Sequence, residues 1–175
     1  MLPTHCNTTG PVSVERAPGT FTGSVCHAII RRDMAEPTGA GVDSSQPDLL
    51  RLVIGENNMD LAMTLSLLLG AEPDMRCVAT AASIGAVLAT LEAHAPNAFV
   101  LDLSLDDGSS LPLIATLRSR VPRAAIIVHT GFQNDSLDEQ CLRSGADAVV
   151  LKTGDIDALT AALRQAAQRR NATAP

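Results

Sequence analysis

From Arg51 onward the chain alternates between two rhythms. Short apolar runs, each closed by a polar residue, are separated by stretches in which leucine, isoleucine and valine recur three or four positions apart. The first rhythm suits buried strands and the second suits amphipathic helices. The pattern predicts a strand over Arg51–Gly55 and a helix opened by Asn58 or Asp60. That helix carries Leu61, Leu65, Leu68 and Leu69 on one side and ends at Gly70. A second strand follows over Met75–Ala79, then a helix capped by Ser83 with Ile84, Val87, Leu88 and Leu91 inward. The third strand, Ala98-Phe99-Val100-Leu101, leads into Asp102, and Asp106-Asp107-Gly108 read as loop. A helix with Leu113, Ile114 and Leu117 stops near Pro122. The fourth strand, Ile126-Ile127-Val128, leads to Thr130. A short polar helix runs from about Asp135 to Ser144 and ends at Gly145. The fifth strand, Val149-Val150-Leu151, leads to Lys152. Asp155 caps a last helix whose inner face is Ile156, Leu159, Leu163 and Ala166.

Five strands alternating with five helices define an α/β fold of (βα)5 type: a doubly wound, parallel five-stranded sheet with helices on both faces. A flavodoxin-like strand order of 2-1-3-4-5 places the first and third strands side by side. All strand exits then share one edge, where ligands bind in such sheets. Glu56, Asn57, Asp102, Thr130 and Lys152 stand at those exits. Carboxylate, hydroxyl and amine meeting there form a set able to accept a phosphoryl group on Asp102.

Residues 1 to 48 lack this periodicity and are rich in Thr, Gly, Pro and Ser. They read as a disordered N-terminal tail, with the folded domain over 49–170 and a short C-terminal tail over 171–175. Met34 offers a second start within the tail. His5-Cys6 and Cys26-His27 are too far apart, and too tightly paired within each pair, for a known zinc spacing. Cys77 and Cys141 fall in apolar periodic segments and read as reduced core residues. With 46% hydrophobic residues in 175, the chain can bury a sizeable core, and at 2% aromatic residues that core is aliphatic. A formal net charge of -6 argues against broad contact with nucleic acid. No secretory signal opens the chain and no apolar run reaches membrane-spanning length, so no membrane is expected and the default location is cytoplasmic. Arg164, Arg169 and Arg170 read as a solvated face of the last helix, and His129 as a packing residue.

Four segments together resemble the response regulator receiver domain of bacterial two-component signalling. Arg51-Leu52-Val53-Ile54-Gly55-Glu56-Asn57-Asn58 is similar to the first strand and acid pair. Val100-Leu101-Asp102-Leu103-Ser104-Leu105 is similar to the phosphoacceptor strand and its loop. Val128-His129-Thr130-Gly131 is similar to the hydroxyl strand, and Gly145-Ala146-Asp147-Ala148-Val149-Val150-Leu151-Lys152 to the final strand with its lysine. The resemblance implies that Asp102 is the phosphoacceptor. Glu56, Asn57, Asp102 and the backbone carbonyl of Ser104 would hold a magnesium ion. Thr130 would bond a phosphoryl oxygen, and Lys152 would pair first with Asp102 and then with the phosphate.

The chain departs from the family pattern at several points. Asn57 stands in place of an acid, which removes one negative charge and implies Mg2+ binding weaker by about tenfold. Glu56 has an added methylene, which allows it either to reach the ion or to pair with Lys152 and hold the site without metal. Val149 replaces an aromatic residue whose swing couples the hydroxyl to the outer face, Thr153 replaces a proline, and Asp106 replaces a loop proline. Ser104 and Phe132 flank the approach of hydrolytic water.

The expected function is a stand-alone receiver, not an enzyme. It takes its phosphoryl group from a histidine kinase or phosphotransfer protein and signals by binding an unidentified target protein. The output surface is the fourth helix, fifth strand and fifth helix. The alternative is a degenerate pseudo-receiver, an interaction module without phosphoryl chemistry. An aspartyl phosphatase would want a second acid where Ser104 stands.

Overall fold

The computed structural model describes residues 49–172. Met34 and the His5, Cys6, Cys26 and His27 set lie outside the described residues, as does the segment read as a tail. The elements in chain order are β1 (Leu50–Gly55), α1 (Met59–Gly70), β2 (Met75–Ala81), α2 (Ile84–His94), β3 (Ala98–Leu101) and β4 (Ser104–Leu105). They continue with β5 (Gly108–Ser109), α3 (Leu111–Arg120), β6 (Ala125–Thr130), α4 (Asp135–Arg143), β7 (Ala148–Leu151) and α5 (Ile156–Ala172).

β1, β2, β3, β6 and β7 form one parallel sheet in the order β2-β1-β3-β6-β7. That is the expected doubly wound order, with β6 and β7 as the fourth and fifth long strands. Strand alternation sends Val53, Phe99, Leu101, Ile126 and Val128 to one face, against Val87 of α2, Leu113, Ile114 and Leu117 of α3 and Cys141 of α4. Leu52, Ile54, Val100 and Ile127 go to the other face, against Leu65 and Leu69 of α1 and Leu159, Leu163 and Ala166 of α5. Residues two apart on a strand share a face. Glu56, Asp102, His129 and Lys152 therefore continue the rows of Ile54, Val100, Ile127 and Val150, which brings them to one side of the sheet's C-terminal end.

The helix starts follow their caps. Asn58 Oδ1 accepts from the Leu61 N–H at 3.0 Å, Ser83 Oγ from Ala86 at 3.2 Å, and Asp155 Oδ1 from Ala158 at 3.0 Å. Each cap satisfies an amide that the helix leaves without a partner. Asn134 caps α4 in the same way. α1 continues through Gly70, whose backbone stays out of the left-handed region, to a cap at Ala71. Gly145, by contrast, has φ of +108° and does end its helix.

Two features differ from the sequence expectation. The segment after Asp102 is an antiparallel hairpin, with Ser104 opposite Ser109 and Leu105 opposite Gly108. Asp107 reaches from it to the first turn of α2, accepting from the Ile84 and Gly85 amides at 2.7 and 3.1 Å. Those amide bonds, led by that of Ile84, hold its carboxyl below the usual range. The basic residues of α5 are not a simple solvated face. Arg164 holds Asp74 and Glu72 at 2.7 Å each, and Arg170 holds Asp147 at 2.7 Å. Acids just before β2 and β7 lie beside α5, so the helix is pinned by charges distant in sequence.

Candidate functional site

The C-terminal end of the sheet gathers two carboxylates around one ammonium. Lys152 Nζ lies 2.7 Å from Glu56 Oε2 and 2.9 Å from Asp102 Oδ2. The Glu56 side chain is 3% exposed, that of Asp102 14% and that of Lys152 18%. The second oxygen of Glu56 accepts the Asn58 N–H at 3.1 Å, so both its oxygens are engaged. Burial alone would push the Lys152 ammonium down. The hydrogen bonds to Glu56 and Asp102 outweigh it and raise the group above the ordinary lysine range.

Backbone bonds fix the frame. The Asp102 N–H donates to the Gly55 carbonyl at 2.7 Å and the Lys152 N–H to the Thr130 carbonyl at 2.7 Å. Gly55 lies so close to Leu101 that an added Cβ would sit 3.0 Å from its Cδ2. Buried Ser110 donates its hydroxyl to the Asp102 carbonyl at 2.6 Å, steadying the residue from the far side of the hairpin. Nothing in the sequence marks Ser110, because the hairpin that returns it to Asp102 has no long apolar run.

The remaining expected site residues are placed differently. Thr130 is buried, and its hydroxyl is 3.3 Å from the Phe132 amide nitrogen, so it is turned toward the following loop. Asn57 is exposed at the rim, and Ser104 lies exposed in the hairpin. Phe132 is 83% exposed. Val149 is half-buried against the α2–α4 core. His129, read from sequence as a packing residue, is buried beside the cluster on β6. Burial, then the Lys152 charge, hold its imidazole below the ordinary value, partly countered by Glu56 and Asp102.

The donor set decides what cation suits the site. Among the described residues, no group of three or more His, Cys, Asp or Glu side chains could hold a metal. Glu56, Asp102 and Lys152 sum to a single negative charge, and the oxygens of Glu56 are taken. The Asp102 carboxylate, the Asn57 amide and the Ser104 carbonyl are hard oxygens. Magnesium keeps several waters and accepts one or two carboxylates. By donor chemistry alone these oxygens suit a hard divalent ion that keeps most of its waters, and Glu56, with both oxygens engaged, is not free to join them.

The chain matches the response regulator receiver domain family over residues 52–164 and belongs to that family. It is therefore a receiver domain of a two-component regulatory system. Among curated relatives, it is 33% identical to the oxygen regulatory protein NreC of Staphylococcus epidermidis, over 66% of this chain and 53% of that one. It is 30% identical to the photosynthetic apparatus regulatory protein RegA of Rhodovulum sulfidophilum, over 73% and 62%. The chain thus spans little more than half the length of these relatives. Among solved structures, a CheY-like receiver from Methanospirillum hungatei aligns with a TM-score of 0.65 at 21% identity, covering 72% of this chain and 99% of the other. A Burkholderia pseudomallei response regulator, solved with a phosphorylated aspartic acid and a calcium ion, aligns at 0.62 and 28% identity, covering 70% and 71%. None of the described helices is long and apolar enough to cross a membrane.

Proposed function

We propose that this receiver accepts a phosphoryl group on Asp102 from a histidine kinase or phosphotransfer protein and passes the signal on by binding a target protein. The observation that carries this reading is the shared ammonium of Lys152, which holds one oxygen of Asp102 and leaves the other as nucleophile. That oxygen attacks the phosphorus of the partner's phosphohistidine. The P–N bond breaks, and its electron pair returns to the imidazole. Asp102 then bears an acyl phosphate. Lys152 follows the negative charge onto the phosphoryl oxygens, and Glu56 keeps the amine protonated and aimed. Thr130 gives up its loop contact and turns its hydroxyl to the new oxygen, and this rearrangement moves the loop that leads into α4. Asp102, Asn57 and the Ser104 carbonyl would hold a magnesium ion, which when bound neutralises charge on the transferred group. The Burkholderia relative carrying a phosphorylated aspartate supports the assignment.

The test is chemical trapping. After exposure to a small phosphoryl donor, borohydride reduces an aspartyl phosphate to homoserine. The reading expects homoserine at position 102 in the peptide map, and unmodified aspartate there speaks against it.

A second reading is favoured by Asn57 and by the closed Glu56–Lys152 pair: a receiver that signals by binding alone, with the ion pair as a structural fixture. It predicts the same fold and target binding with no trapped product. Two relatives are transcriptional regulators by name, one of them DNA-binding. Nucleic-acid contact in a longer protein would therefore lie with segments other than this acidic domain.

A further inference from the structure

Most arginines of the folded domain are matched to acids. Arg118, Arg120, Arg143, Arg164 and Arg170 each meet a carboxylate. Arg51 and Arg76 do not. They stand near the starts of β1 and β2, directly opposite each other in the parallel register. Arg51 lies two residues before Val53 and Arg76 two before Val78, and both valines pack in the core on the α2 side of the sheet. The two arginines therefore share that face, at the end of the sheet away from Asp102. Both are exposed. The Arg51 guanidinium donates to the carbonyl of His94, the last residue of α2. That bond covers the negative end of the helix and leaves the other donors of the fork. Among the described residues, no hydrogen bond or ion pair holds the Arg76 side chain. Like charges directly opposite on neighbouring strands repel. A cavity of about 450 Å3 opens beside them, lined by both arginines, His94, Leu49 and Val78 and by no acid.

We propose that this cavity is an anion site that takes a phosphate monoester with a small apolar body. Two guanidiniums side by side call for a ligand of two negative charges, and a phosphate monoester carries about -1.5 to -2 near neutral pH. Its three terminal oxygens suit two forks and a ring N–H, which the His94 imidazole offers in either tautomer. A carboxylate brings one charge and two oxygens. Leu49 and Val78 give the ester's carbon chain an apolar wall. The net charge of -6 repels a long polyanion over the rest of the surface, whereas a small dianion meets only the local cations. Binding here leaves the Lys152 cluster at the other end of the sheet untouched, so the site does not depend on phosphoryl transfer to Asp102.

The experiment titrates the full chain with n-butyl phosphate, n-butyl sulfonate and n-butanol, followed by amide NMR. The butyl ester has too poor a leaving group to phosphorylate Asp102. It should give saturable shifts at Arg51, Arg76, Val78 and His94. The sulfonate, with the same tetrahedral head and one charge fewer, should bind about tenfold more weakly, and butanol should shift nothing. Arg76→Gln should weaken the phosphate ester about tenfold with unchanged circular dichroism, since the side chain is exposed. Arg76→Lys, which keeps the charge and loses the fork, should fall between. Asp102→Asn should bind as the native protein does. No saturable shift at these amides, shifts confined to the Lys152 cluster, or equal binding in Arg76→Gln would overturn the proposal. So would a hexaglutamate peptide that moves the same amides at lower concentration than the ester, which would give this face to an acidic protein segment.

Discussion

Asp147 and Asp102 sit at opposite ends of the same sheet, each half-buried or deeper and each beside cations, yet their partner counts are inverted. Asp147 is one carboxylate with two guanidiniums, Arg118 at 2.9 Å and Arg170 at 2.7 Å, and it also accepts the Ile126 N–H at 2.8 Å. Its oxygens are filled. At the other end, two carboxylates share one ammonium, and Asp102 keeps an oxygen to spare. A saturated acid ties elements together, whereas an under-supplied one is left able to react. Burial alone would have ranked Asp147, with a 5% exposed side chain, as the more notable residue.

The comparison breaks most sharply through Asp147→Ala. Losing the shared partner of two part-buried arginines should destabilise the fold by about 3–5 kcal/mol. Denaturant unfolding measures this, and phosphoryl uptake by the fraction still folded should be unchanged. Lys152→Met should do the reverse, slowing phosphoryl acceptance about a hundredfold through loss of the charge that meets the transferred oxygens. The measurement is the rate of acyl-phosphate formation. Asn57→Asp should raise magnesium affinity about tenfold by restoring one charge at the rim, read by titrating the ion against amide shifts.

The pH dependence separates the two ends further. The Lys152 value is raised in the fold, so its contribution to stability is complete below the ordinary lysine value of 10.5 and is lost as pH climbs through the higher folded value. Alkaline unfolding curves of the native protein and Lys152→Met should differ in that window. His129 works in the opposite sense. Its lowered value means the unfolded chain binds the proton more readily, so stability falls as pH drops from 6.5 through the folded value. His129→Leu should flatten the acid side of the profile. The smallest effect expected is at Phe132→Glu, a few-fold faster loss of phosphate if the exposed ring slows water at the mouth.

Much of this was legible in the chain because parallel strands are buried on both faces and therefore read as continuous apolar runs. Val100-Leu101-Asp102 and Val150-Leu151-Lys152 announce both a strand and the polar group at its exit. The helix caps Asn58, Ser83 and Asp155 were readable for a similar reason, since each side chain serves an amide only three positions away. What stayed hidden depends on long-range closure. Ser110 meets Asp102 only because a four-residue hairpin ladder of Ser104, Leu105, Gly108 and Ser109 folds back. Arg164 finds Asp74 across 90 positions, which no periodicity encodes. Thr130 stands at the expected strand exit, but its rotamer is set by the Phe132 amide, a local bond that strand register does not report.

The central claim is that the spare oxygen of Asp102 is a working nucleophile. Intact-mass measurement of the full chain, incubated with acetyl phosphate and Mg2+, tests it most directly. One phosphoryl adduct on the native protein and none on Asp102→Asn is the predicted result. An adduct that persists in Asp102→Asn, or no adduct on the native protein with any divalent ion, would contradict it.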